Sequence, residues 1–119
     1  MKENLLKNKT FSFAIRIVNL YKYLIIEKKE FVLSKQLLRS ETSVGAMIRE
    51  AEFGQTKSDF IHKLSIAQKG ANETQYWIEL LFQTEYLTTE QFESLNQKKI
   101  EILKLITASI KTAKQNNGK

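Results

Sequence analysis

Apolar residues recur at the spacing of an amphipathic helix along almost the whole chain, and short polar segments interrupt the pattern three times. The pattern therefore predicts four helices, at about residues 10–27, 35–53, 58–84 and 88–114. Because the connections are short, consecutive helices are expected to run antiparallel. The sequence predicts an all-α protein, an up-down-up-down four-helix bundle forming one domain over residues 1–119, with disordered ends at about 1–8 and 115–119.

Residues suited to helix ends mark the predicted boundaries. The expected N-terminal caps are, in chain order, Asn8 or Thr10, Ser34, Thr56 paired with Asp59, and Thr88 paired with Gln91. Asp59 also suits the first turn of a helix, where the helix dipole favours an acid. Gly54 follows the second predicted helix, at the position where a left-handed residue often ends a helix.

The first predicted helix carries more apolar surface than one bundle core requires. Its core stripe is expected to contain Phe11, Ala14, Ile17, Val18, Tyr21, Leu24 and Ile25. Five further apolar residues fall outside that stripe: Phe13, Ile15, Leu20, Tyr23 and Ile26. A helix that is apolar nearly all round is buried on more than one side. We therefore expect the second side to contact another copy of the chain.

Two neighbouring seams run along the third predicted helix, which indicates contact with two other helices. The first seam comprises Phe60, Leu64, Ala67, Ala71, Thr74, Ile78 and Leu81, and the second Ile66, Gly70, Glu73, Trp77 and Leu80. Trp77 is expected to pack in its seam, the alternative being that it stacks with Tyr76 on nucleic-acid bases. Gly45, inside the second helix, is expected to permit a close helix–helix approach, the alternative being tolerated drift.

Composition excludes most catalytic chemistry. The chain has no Cys and one His, which excludes thiolate and His-pair metal sites and leaves little material for a Ser–His triad. His62 is interpreted as a polar flank residue, and no cofactor is expected. Neither a signal peptide nor an apolar run of the ~20 residues needed to span a membrane is visible. The expected location is cytoplasmic, with no membrane partner.

The net charge of +6 is compatible with a nucleic-acid-binding surface, and ordinary solvated lysines are the alternative explanation. Sixteen of the 19 basic residues are Lys, which attracts phosphate as a point charge. The candidate phosphate-binding residues are Arg16, Lys22, Arg39, Arg49, Lys104, Lys111 and Lys114. The last three share one side of the fourth predicted helix.

Two carboxylates, Glu50 and Glu73, each flank an apolar stripe on adjacent predicted helices. A carboxylate beside a seam normally requires a partner, and Arg49 and Lys63 are the candidates. We expect ion pairs between helices or between subunits, with a carboxylate-based enzyme as the minor alternative. The predicted structural positions are Gly45, Arg49, Glu50, Asp59, Glu73 and Trp77.

Three segments taken together are specific enough to suggest a family. They are VGAMIREA at residues 44–51, SDFIHKLSIA at 58–67 and ETQYWIELL at 73–81. The chain resembles the four-helix bundle proteins also called 23S rRNA intervening-sequence or S23-like proteins, over about residues 10–107. It departs from the family pattern at Met47, where the family has Asn, and at Gly70, where the family favours Glu.

The resemblance implies an antiparallel bundle that assembles as a ring-shaped homopentamer without enzymatic activity. Some members are encoded within inserts of large-subunit rRNA genes. Similar proteins act as accessory proteins of diversity-generating retroelements, beside a reverse transcriptase and nucleic acid. Two hypotheses follow for this chain. One is an oligomeric scaffold that binds RNA or DNA through phosphates, and the other is a scaffold for an acidic partner protein or a reverse transcriptase.

Overall fold

Four α-helices make up the computed structural model, which describes residues 2–115 and the side chains of residues 5–115. They are α1 (Lys2–Ile26), α2 (Leu33–Glu52), α3 (Lys57–Gln83) and α4 (Thr89–Gln115). Each helix packs on the next along the chain, and α4 packs back on α1, in a bundle of 53 × 22 × 20 Å. The all-α architecture with four helices is confirmed, and no strand occurs between residues 2 and 115.

The start of α1 lies at Lys2, well before the predicted start near Thr10. Neither Asn8 nor Thr10 is a cap. Thr10 is buried inside the helix, where its hydroxyl donates to the carbonyl oxygens of Leu6 and Lys7, each at 3.0 Å. The additional turns are anchored by Leu6, which belongs to the core. The expectation of a disordered start is therefore wrong for residues 2–8, while residues 1 and 116–119 lie outside the described part.

The core-facing side of α1 also differs from the predicted stripe. Phe13 is 3% exposed and belongs to the core, whereas Phe11 is 52% exposed. The buried face consists of Leu6, Thr10, Phe13, Ile17 and Leu24. Because α1 is apolar nearly all round, periodicity allows both phases. The observed phase includes Thr10, a polar residue whose hydroxyl is satisfied by carbonyls of its own helix.

Both predicted capping pairs are present, Thr56–Asp59 with the hydrogen bond to the capping hydroxyl and Thr88–Gln91 with both reciprocal hydrogen bonds. At the start of α3, the Thr56 hydroxyl accepts a hydrogen bond from the Asp59 N–H at 3.0 Å. Before α4, the Thr88 N–H donates to Gln91 Oε1 at 2.8 Å, and the Gln91 N–H donates to the Thr88 hydroxyl at 3.1 Å. These side chains satisfy amide groups that have no partner within the helix. Both helix starts could therefore be located from sequence.

The start of α2 is organised by Glu30, and the prediction that Ser34 caps this helix is wrong. The Glu30 carboxylate accepts hydrogen bonds from the N–H groups of Val32, Leu33 and Ser34, at 3.1, 2.9 and 2.7 Å. Burial alone would raise the pKa of Glu30, but these backbone donors outweigh it and the pKa lies below its ordinary value. Glu30 thus fixes the connection between α1 and α2.

The glycines act differently from the predictions. Gly54 does not adopt the left-handed conformation; a Cβ there would lie 3.2 Å from both the Ala51 oxygen and the Phe60 nitrogen, so the position is restricted by space. A Cβ at Gly45 would meet no atom within 4 Å, so the predicted close approach at Gly45 is wrong within the chain. The close approach occurs at Gly70 instead, where a Cβ would lie 3.0 Å from Val44 Cγ2.

Candidate functional site

An apolar groove of about 580 Å³ lies between the outer faces of α1 and α2. On α1 it is lined by Phe11, Ile15 and Val18, which lie away from the core. On α2 it is lined by Gly45 and Ala46, whose small side chains leave the groove open. The apolar excess of α1, predicted from sequence, is thus concentrated on one side of the bundle. Ile15 lines this groove as predicted, but Phe11 and Val18, which were predicted to face the core, line it as well, and Phe13 lies in the core instead.

Arg49 lies at the rim of this apolar groove. Its guanidinium carbon is 4.9 Å from the centroid of the Phe11 ring, a cation–π contact between α2 and α1. Arg49 forms no ion pair with Glu50 or Glu73 in the described residues. Nearby, Lys7 Nζ donates to Glu52 Oε1 at 2.9 Å. Arg49 is therefore engaged in the apolar groove and is a weak candidate for contact with phosphate.

A second groove, of about 480 Å³, lies between α3 and α4. Its walls combine amide, lysine and threonine side chains with Ile100, Leu103 and Ala108, and because it is more polar than the first we call it the polar groove. Its lining includes Gln68, Gln75, Lys104 and Thr107, and Gln68 Nε2 donates to the Thr107 hydroxyl at 3.0 Å. Because the helices pack in the cyclic order α1, α2, α3, α4, this side is opposite the apolar groove. The two grooves therefore differ in chemistry, the first being lined mainly by apolar side chains and the second by polar and apolar ones.

Lys99 is a buried lysine at the base of the polar groove, and sequence analysis did not identify it. It occupies a core position of α4 between Leu95 and Ile102. Its amine donates to Gln75 Oε1, and Gln75 Nε2 donates to Glu79 Oε2 at 2.9 Å. Burial lowers the pKa of Lys99, and the negative charge of Glu79 opposes this in part. The sequence feature that could have identified Lys99 as buried is its spacing, four residues after Leu95 and three before Ile102.

Glu41 is the other ionisable residue of the core, and its spacing between Leu37 and Val44 on α2 was the corresponding signal. Burial raises the pKa of its carboxyl from the ordinary 4.5 to about 8, an effect that the Thr74 hydroxyl opposes in part. Its Oε2 atom is buried and accepts no hydrogen bond from any described residue. The neighbouring Ser40 and Thr74 hydroxyls lie 2.9 Å apart across α2 and α3. Glu41 is thus protonated at neutral pH.

The predicted phosphate-binding residues do not form one cluster. Arg16 Nη2 donates to the Ser94 hydroxyl at 2.7 Å, and Arg39 lies 3.6 Å from a Glu73 oxygen, so the arginines contact their own chain. Four predicted lysines are exposed and form no ion pair within residues 5–115: Lys22, Lys104, Lys111 and Lys114. The last three follow one side of α4, where no acidic residue occurs after Glu101. Lys22 lies apart from them on α1.

Both carboxylates pair with a cation of a neighbouring helix, but of the predicted partners only Lys63 does so, Arg49 does not, and both pairs are exposed. Glu50 accepts from Lys63 at 3.0 Å, and Glu73 faces Arg39 across α2 and α3. Trp77 is half-buried against the core, as predicted, and its Nε1 donates to Glu73 at 3.3 Å. Exposed ion pairs contribute little to stability, so these carboxylates do not form the buried pairs that their position beside the seams suggested.

Two chemical features can be stated for the described residues. No group of three or more His, Cys, Asp or Glu side chains is arranged to hold a metal ion. None of the described helices is long and apolar enough to cross a membrane. The candidate binding surfaces are therefore the apolar groove, the polar groove and the exposed lysines.

A family profile and a solved structure both relate the chain to the same family of proteins. The sequence profile of a family described as "23S rRNA-intervening sequence protein" matches residues 2–108. The chain is 61% identical to a protein of solved structure from Bacteroides thetaiotaomicron VPI-5482, described as a protein with unknown function from the S23 ribosomal protein family. That similarity covers 93% of this chain and 99% of the other, with a TM-score of 0.92. No curated protein matches the chain.

Proposed function

Because the chain belongs to the 23S rRNA-intervening sequence protein family, we propose that it is a non-catalytic, basic, homo-oligomeric scaffold that binds nucleic acid, RNA in particular, through phosphates. The observation that carries this proposal is the side of α4 formed by Lys104, Lys111 and Lys114. These lysines are exposed, form no ion pair among the described residues, and follow Glu101, the last acid of α4, which pairs with Lys9 and Lys98. Such a side attracts phosphates with little regard to sequence.

Self-assembly is the second part of the proposal, and the apolar groove between α1 and α2 supports it. Large exposed apolar patches normally mark interfaces. Five subunits are the number that the family resemblance implies, and five copies of a chain with charge +6 would carry +30. A ring of that charge would steer nucleic acid over long distances. The same resemblance makes a reverse transcriptase a candidate partner.

Fluorescence anisotropy with labelled, mixed-sequence RNA tests the nucleic-acid part of the proposal. We expect binding at ~50 mM salt, with a log–log salt slope of about −0.7 for each phosphate contacted on a single strand. Reversing Lys104, Lys111 and Lys114 to Glu should weaken binding of RNA and DNA alike. Changing the same three residues to Arg keeps the charge, and this matched variant should bind like the wild type.

Two outcomes would count against the proposal. Absence of measurable RNA binding at ~50 mM salt would contradict it and favour the alternative, a scaffold for an acidic partner protein. Binding that survives the triple reversal to Glu unchanged would show that α4 does not contact the phosphates.

A further inference from the structure

Three apolar side chains that are more than half exposed project from the end of the bundle where α1 turns into α2. We call this end, residues 22–35, the α1–α2 corner. The exposed residues are Ile26, Phe31 and Val32, and Phe31 is 60% exposed. None of them lines the apolar groove or contributes to the core. The corner therefore presents apolar surface that neither the fold nor the proposed assembly groove uses.

The corner is held in a defined conformation. The Glu30 carboxylate accepts three backbone N–H groups at the start of α2, and the Glu30 N–H donates to the Leu24 oxygen at 3.0 Å. The Ser34 hydroxyl adds a bond of 2.8 Å to the Glu30 carbonyl. Lys29 adopts a left-handed backbone with φ of 56°, which a non-glycine residue keeps only when its surroundings require it. Phe31 is therefore displayed on a pre-organised loop.

The charged side chains of the corner that are exposed are mainly lysines. Four lysines of the corner are exposed and form no ion pair within the described residues: Lys22, Lys28, Lys29 and Lys35. Of the two acids in the corner, Glu30 is buried and engaged by backbone donors, which leaves Glu27. The connection between α3 and α4 lies at the same end of the bundle, and exposed acids occur there and in the first turns of α4: Glu85, Glu90 and Glu93. Positive charge is thus confined to the α1–α2 side of this end.

We propose that the α1–α2 corner binds single-stranded nucleic acid, with a base stacked on Phe31 and phosphates contacted by the surrounding lysines. This inference rests on the proposed function and adds to it a contact with bases. Single strands expose both base faces and phosphates, and proteins bind them with aromatic side chains set among basic residues. A flat anionic membrane would also meet the acids of the α3–α4 connection, whereas a strand can follow the basic side alone.

The test compares two exposed phenylalanines at opposite ends of the molecule. Phe31→Ala should weaken binding of a labelled oligouridine of about 20 nucleotides by about 5- to 10-fold, as expected for loss of one stacked base. Phe53→Ala is the matched control, since Phe53 is 77% exposed but lies beside Glu50 and Glu52. That control should bind like the wild type. Phe31→Trp should retain or increase affinity because tryptophan also stacks.

A duplex of the same length separates this inference from the proposed function. Its base faces are hidden, so Phe31→Ala should leave duplex affinity unchanged, whereas the triple reversal on α4 should weaken both forms. If wild type binds RNA but Phe31→Ala binds the single strand equally well, the inference is wrong and the proposed function stands. If wild type binds no RNA, both are wrong. Phe31-dependent sedimentation with phosphatidylserine–phosphatidylcholine vesicles, without Phe31-dependent RNA binding, would assign the corner to membranes instead.

Discussion

The two open sides of the bundle are grooves of similar size, one lined mainly by apolar side chains and the other by a mixture of polar and apolar ones. The groove between α1 and α2 measures about 580 Å³ and is lined by Phe11, Ile15 and small residues of α2. The groove between α3 and α4 measures about 480 Å³ and is lined by amide, lysine and hydroxyl groups together with Ile100, Leu103 and Ala108. Polar walls can be hydrated, but apolar walls are stabilised only when another molecule covers them. This difference supports the proposal that another copy of the chain covers the α1–α2 side.

Two of the buried ionisable residues, Lys99 and Glu41, also differ from each other. Lys99 of α4 reaches Gln75 at the edge of the polar groove, so its amine has a partner. Glu41 of α2 keeps one oxygen without a hydrogen bond from the described residues. A buried group without a partner is costly when charged, and a carboxyl in that situation is kept neutral. Substitutions of these two residues should therefore differ in kind.

The largest effect is expected from a charge placed in the apolar groove. Ile15→Glu should dissociate the assembly while helicity is retained, because Ile15 is 49% exposed in the single chain and lies outside the core. Ile100→Glu is the matched control, since Ile100 is 41% exposed but borders the polar groove. Sedimentation velocity should show a change for the first variant only. Equal dissociation by both would remove the distinction between the two sides.

Gly45→Leu tests the same groove without introducing charge. A Cβ at Gly45 meets no atom within 4 Å, so the new side chain has room in the single chain and should also favour the helix. We expect unchanged or higher helicity with a weaker assembly, because the leucine occupies space meant for another subunit. Circular dichroism and sedimentation measure the two effects separately. Assembly at wild-type strength would place the interface elsewhere.

The next effect concerns pH and Glu41. Its pKa in the folded protein is about 8, above the ordinary 4.5, so the folded state holds a proton that the unfolded state releases between these values. The stability from this proton is complete below pH 4.5 and is lost as pH rises through 8. The loss should amount to roughly 5 kcal/mol.

Glu41→Gln removes this titration, and its comparison with the wild type at low pH is the control for the comparison at high pH. Its free energy of unfolding should be close to that of the wild type at pH 4 to 5 and exceed it progressively toward pH 8, by up to roughly 5 kcal/mol. Urea titrations at several pH values measure the difference. A constant difference over that range would show that Glu41 does not titrate in the folded protein as its burial requires.

A smaller effect is expected at Lys99. Its buried stem packs between Leu95 and Ile102, while its amine contacts Gln75. Lys99→Met keeps the apolar stem and should change stability by less than about 1 kcal/mol, whereas Lys99→Ala leaves a cavity and should cost about 2 kcal/mol or more. Chemical denaturation of both variants measures this. Equal losses would show that the amine, and not the stem, provides the stabilisation.

The smallest effect is expected for the exposed pair Arg39 and Glu73. The two side chains are separated by 3.6 Å and are largely open to solvent. A double-mutant cycle with alanine should give a coupling energy below about 1 kcal/mol. A coupling of several kcal/mol would mean that the pair is buried, as an interface between subunits would make it.

Local signals in the sequence located much of this fold. The capping boxes at Thr56 and Thr88 act within one turn, so their residues alone identify the starts of α3 and α4. The phase of α1 could not be found in this way, because an almost wholly apolar helix fits the core in two orientations and its partners decide between them. Thr10 was wrongly predicted as a cap of α1, because in the sequence a threonine buried inside a helix looks like a capping threonine.

The candidate surfaces were predictable only in part. The apolar excess of α1 indicated an additional contact, but the groove depends on Gly45 and Ala46 of another helix. Lys99 and Glu41 lie on apolar stripes, yet charged residues are seldom buried, and only the packed structure shows that they are. The role of Glu30 depends on the path of the loop, which periodicity does not describe.

The mass of the wild-type protein in solution tests the central claim, that another copy of the chain covers the apolar groove between α1 and α2. Multi-angle light scattering at micromolar concentration should give a stable multiple of 13.9 kDa, with five copies, about 70 kDa, as the number implied by the family resemblance. A single species of 13.9 kDa at that concentration would contradict the claim.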